Sequence, residues 1–298
     1  MRFGWTRGYS PSEIYGDPVL SAKLKQSWGI GRQPTTEVCI SNARTDRRDV
    51  PLRVYCPEDC EPKGTLVWAH GGGFASGDLD MPESDGVARE LSHRACINVV
   101  TVGYGLVGDG YQYPSLHRDV SEAIDWAEKN LIGPLSVGGA SAGANLAVAA
   151  SLERRDLGKL IPSSLLLAYP LLFKNVGNSD VNMAGIPPIF RVNQVSVNAM
   201  LNAYAPDGGD YVVFDEHDLQ GLPSTFLLVA ELDQLAPQSQ EFARKQEEAQ
   251  VSVTLRTVKN AVHGFLNLSS EIPQADQGLD IAAKFLAAIN VSSSNCYR

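Results

Sequence analysis

The chain has 298 residues, 44% of them hydrophobic and 20% charged, with a formal net charge of -9. That length holds one large α/β domain or two small ones, with apolar residues enough for a sizeable core. The negative charge excludes nucleic acid as a partner, which demands a basic face, and no run approaches the roughly 18 apolar residues of a membrane span, so no membrane partner is expected. The first ten residues contain no continuous apolar segment after Arg2, so no secretory signal is read and the expected location is cytoplasmic. Five cysteines, at 39, 56, 60, 96 and 296, are an odd number scattered along the chain, the pattern of free thiols in a reducing setting. Cys56 and Cys60 lie four apart, but no second Cys/His pair at ligand spacing accompanies them, so no metal site is read.

Residues 1–35 mix polar, aromatic and helix-compatible stretches, with Ser10-Pro11-Ser12-Glu13 resembling a helix start, and read as an N-terminal helical arm. Strand-like runs at 37–41 and 52–56 flank the charged turn 44–48 and predict a hairpin near a sheet edge. Residues 64–69 are a short apolar run ending at His70-Gly71-Gly72-Gly73-Phe74, the way a buried parallel strand delivers a glycine loop to an active face. Helical spacing over 87–94, a β-branched strand at 97–102, a glycine- and tyrosine-rich loop at 104–114 and a helix over 116–129 follow. Residues 135–148 read as a buried strand, an abrupt turn and the opening of an alanine-rich helix, and 164–169 as another buried strand. This alternation is the signature of a mostly parallel, doubly wound sheet. Residues 173–212, with Asn175, Gly177, Asn178, Pro187-Pro188 and one helical stretch at 193–204, break the rhythm and read as a cap insertion. A strand at 225–230, a helix over 241–249, a strand at 251–258 and a helix over 279–289 complete the core.

Gly139-Ala140-Ser141-Ala142-Gly143 fits G-x-S-x-G, in which a strained strand-to-helix turn lifts a serine hydroxyl clear of the backbone. A serine hydroxyl is a poor nucleophile until a base, itself oriented by a carboxylate, stands beside it. Of the five histidines, His263 follows the strand that ends near Val258, on the sheet edge to which Ser141 is delivered. Asp233 lies just past the preceding strand, with Glu231 as its rival and a helix N-cap as its bland alternative. Acyl transfer also needs donors aimed at a developing oxyanion; the N–H of Ala142 and those of Gly72 and Gly73 qualify. A phosphate cradle at the triple glycine lacks the Gly-Lys-Ser/Thr that it needs. His70 reads as a support of that loop by hydrogen bonding.

In this order, His70-Gly71-Gly72-Gly73-Phe74, the Ser141 elbow, Glu231-Leu232-Asp233 and His263-Gly264-Phe265 resemble the hormone-sensitive-lipase-like branch of the α/β-hydrolases, over residues 36–290. The resemblance implies the α/β-hydrolase fold, with residues 1–35 and 173–212 as its helical cap and 36–172 with 213–298 as its core. It further implies acylation of Ser141, an oxyanion hole at Gly72, Gly73 and Ala142, and short-chain carboxylic esters as small-molecule substrates, with no cofactor. Two positions and one loop depart from the family pattern. Ala140 stands where an acidic residue precedes the serine, Ala144 stands where a further glycine follows the elbow, and Tyr104-Gly105-Leu106-Val107-Gly108-Asp109 replaces Tyr-Arg-Leu-Ala-Pro-Glu. Two other readings are kept: an amide or N-formyl hydrolase with the same machinery, and a non-catalytic ligand-binding homologue. Substrate identity is not encoded in these motifs, nor is oligomeric state, for which a homodimer is held beside a monomer.

Overall fold

The computed structural model describes residues 38–294, together with residues 9, 17, 19, 20, 22 and 23. The helix start expected at Ser10–Glu13, and almost all of the arm expected over 1–35, lie outside the described residues.

Eight strands form one sheet in the order β1-β2-β4-β3-β5-β6-β7-β8. β1 (Val38–Arg44) and β2 (Pro51–Pro57) make the hairpin, antiparallel from Val38↔Pro57 to Arg44↔Pro51, and β2 runs antiparallel to β4 (Asn98–Val102). Every remaining pairing is parallel, through β3 (Thr65–Ala69), β5 (Leu135–Ala140), β6 (Ser164–Ala168), β7 (Ser224–Leu232) and β8 (Val253–Val262). β3, β4, β5 and β6 are buried along their whole length, as strands covered on both faces must be, and this is why they read as unbroken apolar runs.

The period-two alternation of a strand divides the core. Leu66 and Trp68 of β3 join a cluster with α1 (Val87–Ala95) and α6 (Pro273–Ser294) on one face, while Val67 and Ala69 join the larger cluster with α2 (Ser115–Asn130), α3 (Ala142–Asp156) and α5 (Ala236–Glu248) on the other. The largest differences from the sequence expectation lie at three element boundaries. α5 begins at Ala236 with Pro237 in its first turn, α6 begins at Pro273, and β8 runs on to Val262. The residues gained are largely exposed or polar, so apolar spacing alone underestimates the elements.

Residues 173–212 hold two short 3-10 turns, Met183–Gly185 and Pro188–Phe190, and the helix α4 (Gln194–Tyr204). Asn193 caps α4 through its side chain, which accepts from Ser196 N–H, and Val197, Leu201 and Tyr204 are its buried face. Gln238 of α5 fastens the start of the segment: its Oε1 accepts from Leu172 N–H and its Nε2 donates to the carbonyls of Phe173 and Asn175.

The free-thiol expectation is corrected at two positions. Cys60, in the loop after β2, and Cys96, the left-handed residue that ends α1, are joined by a disulfide across 36 residues, with Cα atoms 6.2 Å apart. Neighbour spacing directed attention to Cys56, whereas the fold brings the α1–β4 turn beside the loop leading into β3. A disulfide belongs to oxidising surroundings, so the cysteine pattern no longer argues for the cytoplasm. Among the described residues no helix is long and apolar enough to cross a membrane, and no group of three His, Cys, Asp or Glu side chains is placed to hold a metal ion.

Candidate active site

Ser141 is the first residue beyond β5 and takes φ 53° and ψ -116°, a conformation that non-glycine residues avoid and that only the surrounding packing can hold. The packing is visible in its glycines. A Cβ on Gly143 would lie 2.2 Å from the carbonyl oxygen of Ala69, and one on Gly139 would lie 2.5 Å from the backbone of Gly143. α3 therefore starts in contact with β3, which fixes where the serine points.

Asp233 is the first residue beyond β7 and His263 the first beyond β8. The three side chains meet: Ser141 Oγ lies 2.9 Å from His263 Nε2, and His263 Nδ1 lies 2.7 Å from Asp233 Oδ2. With the ring proton on Nδ1 donated to the carboxylate, Nε2 is free to accept from the serine hydroxyl. Asp233 is 1% exposed, while Ser141 and His263 each keep 8%, so the open end of the relay is the serine end. Burial works to depress the basicity of His263, but the charge and hydrogen bond of Asp233, with the charge of Glu83, outweigh it and hold the imidazole above its ordinary value. Asp233 Oδ1 also accepts from Leu235 N–H, so the aspartate both faces the histidine and opens the turn into α5. Glu231, the rival carboxylate, is exposed and turned away, accepting instead from Asn260 N–H at 2.7 Å.

β3 delivers His70 in the same way, and the glycine loop follows it. Gly72 and Gly73 have φ 113° and 63°; a Cβ on Gly72 would lie 1.9 Å from Ser76 O, and one on Gly73 would lie 2.5 Å from Met200 Sδ. Both positions therefore require glycine, and α4 sits directly against the loop. Ala142 is the first residue of α3, where N–H groups have no intrahelical acceptor. His70 is fully enclosed: its Nδ1–H donates to the Gly71 carbonyl at 2.6 Å, its ring stacks on Tyr104 with centroids 4.4 Å apart, and burial pushes its pKa down to about 4. The 104–109 loop, where the family pattern is absent, packs on the glycine loop through Tyr104 O–H to His70 O and Val107 N–H to Phe74 O, and Asp119 Oδ2 accepts from Gly105 N–H.

Two residues in the site have no counterpart in the sequence reading. Tyr169, which that reading leaves inside a strand, is the first residue beyond β6, and its ring meets that of His263 edge-on at 5.2 Å. Its hydroxyl donates at 2.5 Å to Glu83, a buried carboxyl on the π-turn Pro82–Gly86 that leads into α1. Thus β3, β5, β6, β7 and β8 each place the residue next after the strand, His70, Ser141, Tyr169, Asp233 and His263, into one region.

Residues 66–267 match a family model described as the alpha/beta hydrolase fold. The carboxylesterase NlhH of Mycobacterium tuberculosis is 31% identical over 244 residues, 76% of this chain and 74% of that one. An arylesterase of Saccharolobus solfataricus is 26% identical over 249 residues, 80% of this chain and 79% of its own. Among solved structures, a bacterial heroin esterase superposes with a TM-score of 0.80 at 25% identity, over 94% of this chain and 93% of that one. The chain belongs to the α/β-hydrolase fold family, in its hormone-sensitive-lipase-like branch.

Proposed function

We propose that the chain is a serine carboxylic-ester hydrolase that takes small, short-chain acyl esters through an acyl-enzyme. The observation that carries this reading is the continuous pair of contacts from Ser141 Oγ to His263 at 2.9 Å and from His263 to Asp233 at 2.7 Å, on a serine held in a strained turn. Similarity to carboxylesterase NlhH and to the bacterial heroin esterase supports an ester as the bond broken.

In this reading Ser141 Oγ attacks the ester carbonyl carbon while His263 Nε2 takes its proton. The N–H groups of Gly72, Gly73 and Ala142 hold the oxyanion that forms, and His70 supports their loop from behind. The tetrahedral intermediate collapses with cleavage of the carbonyl-to-alkoxy bond, and His263 returns the proton to the departing alcohol. Water then attacks the acyl carbon, gives a proton to His263, and expels Ser141, which recovers it as the acid leaves. Residues 173–212 act as a cap, with Met200 of α4 close against Gly73 of the oxyanion loop.

Ser141→Ala is expected to abolish turnover of p-nitrophenyl acetate while the thermal melt stays that of the parent chain. Hydrolysis surviving in this variant would reject Ser141 as the nucleophile. An organophosphonate fluoride should label the parent at Ser141 by mass spectrometry and leave the variant unlabelled.

A further inference from the structure

Glu83 is a buried carboxyl that the proton path from Ser141 to Asp233 does not use. Its two oxygens take three hydrogen bonds, each from a different wall of the site. Oε2 accepts from Gly71 N–H at 2.7 Å, at the head of the glycine loop. Oε1 accepts from Tyr169 O–H at 2.5 Å and from Asn267 Nδ2 at 3.0 Å, and Asn267 lies in the 3-10 turn Phe265–Asn267 that follows His263. The Glu83 backbone carbonyl accepts from Trp68 Nε1 at 2.8 Å, which locks the π-turn to β3.

The carboxyl also lies close behind the elbow. A Cβ on Gly71 would be 2.5 Å from Glu83 Oε2 and 3.3 Å from Ser141 Cβ. Ala140 precedes the serine without a carboxylate of its own, and its methyl group joins the apolar cluster that contains Tyr169, Phe265 and Leu266. Burying a carboxyl is costly, and an apolar or amide side chain would serve mere packing better. What favours the acid here is that all three partners are donors; a glutamine in its place would aim an N–H₂ at one of them and leave it unpaired.

We propose that Glu83 is a positioning residue for the hydrolytic reaction: it ties the glycine loop, Tyr169 and the turn after His263 into one register around Ser141, supplying from the π-turn the carboxylate that the elbow lacks at Ala140. The proposal rests on the ester-hydrolase reading of Ser141. The titratable groups that face Glu83 are Tyr104, Tyr169 and His263. Burial pushes its carboxyl up, and the three donors and the charge of a protonated His263 pull it only part of the way back, so it stays above the ordinary carboxylate value. Its negative charge in turn favours protonation of His263.

The test compares Glu83→Gln, Glu83→Asp and the double variant Glu83→Gln/Ala140→Asp with the full parent chain on p-nitrophenyl acetate across pH. Glu83→Gln is expected to lose kcat by roughly 10- to 100-fold, the scale of a misplacement of about 1 Å, with KM little changed. Its acidic limb in kcat/KM moves to lower pH, because a charge that favours the imidazolium has gone. Glu83→Asp keeps the parent limb while losing kcat, and the double variant recovers part of what Glu83→Gln lost.

Parent kcat and an unmoved limb in Glu83→Gln would overturn the proposal. So would a fallen kcat with an unmoved limb and no recovery in the double variant, the mark of a packing role alone. Failure of both single variants to melt cooperatively counts against it in the same way. A parent chain without Ser141-dependent hydrolysis ends the ester reading and this one together, whereas an active parent with an unaffected Glu83→Gln ends this one only.

Discussion

The proton affinity of His263 is decided by opposed effects on a single ring. Burial disfavours the imidazolium, the Asp233 carboxylate favours it by charge and by a 2.7 Å hydrogen bond, and the net result lies above the ordinary imidazole value of about 6.5. Because a general base must be neutral to accept a proton, activity is gained as pH rises through that raised value. Asp233→Asn removes the charge and disturbs the tautomer; the expected outcome is a loss of roughly 10⁴-fold in kcat, with the acidic limb of the rate profile displaced to lower pH. A limb that stays in place would show that Asp233 does not face the working base. At this scale the sequence discloses a residue when its chemical type follows a recognisable apolar run, as Ser141, Asp233 and His263 do. Glu83 gives no such signal. Pro82-Glu83-Ser84-Asp85 has the composition of a solvated helix start, and only the π-turn folds its carboxyl inward.

Beside its apolar face, α4 is tied to the core by a buried polar chain that starts at Tyr204. The Tyr204 hydroxyl lies 3.1 Å from His117 Nδ1, His117 Nε2 lies 3.3 Å from Glu153 Oε2 of α3, and Arg118 donates to Glu153 Oε1 at 2.7 Å. The close approach of His117, joined by Arg118 and opposed by burial, holds the Glu153 carboxyl down at about 2. A carboxyl lowered by folding lends stability that is present above its unfolded value near 4.5 and drains away as pH falls toward 2. The melting temperature of the parent should therefore fall on acidification from pH 5 to pH 3, and Glu153→Gln should show a lower melt at pH 6 and a shallower acid decline. Parallel declines in the two chains would remove Glu153 from the account. Tyr204 also stacks on Phe74 at 4.5 Å, so loosening α4 reaches the glycine loop. The existence and order of elements are legible in the sequence because buried strands and amphipathic helices carry different apolar periods. The extension of β8 to Val262 is not, since Arg256, Lys259 and Asn260 are exposed on an outermost strand and the ladder with β7 passes over residues 259–261 before resuming at Val262.

Across the whole molecule, the doubly wound order places the ends of five parallel strands at one edge, which a sequence can announce by alternation alone. The disulfide cannot be announced that way, because proximity between Cys60 and Cys96 is created only when α1 has packed. Closing that loop of 36 residues restricts the unfolded chain, for a stabilisation of about 4 kcal/mol. Cys60→Ser is accordingly expected to melt several degrees below the parent, and thiol titration of the unfolded parent before and after reduction should differ by two groups. An unchanged count would mean the bridge does not form. The register between β7 and β8 has a further consequence. From Ala230 to Leu232 β7 advances two residues, while β8 advances four, from Val258 to Val262, with Asn260 at φ 56° in the slack. At about 3.3 Å per residue the surplus absorbs 6 to 7 Å of chain. The two strands thus work as a vernier: laid out in regular register, the same β8 residues would carry the one after β8 past the one after β7 by that length, and Glu231, by holding Asn260, keeps the scale at its zero.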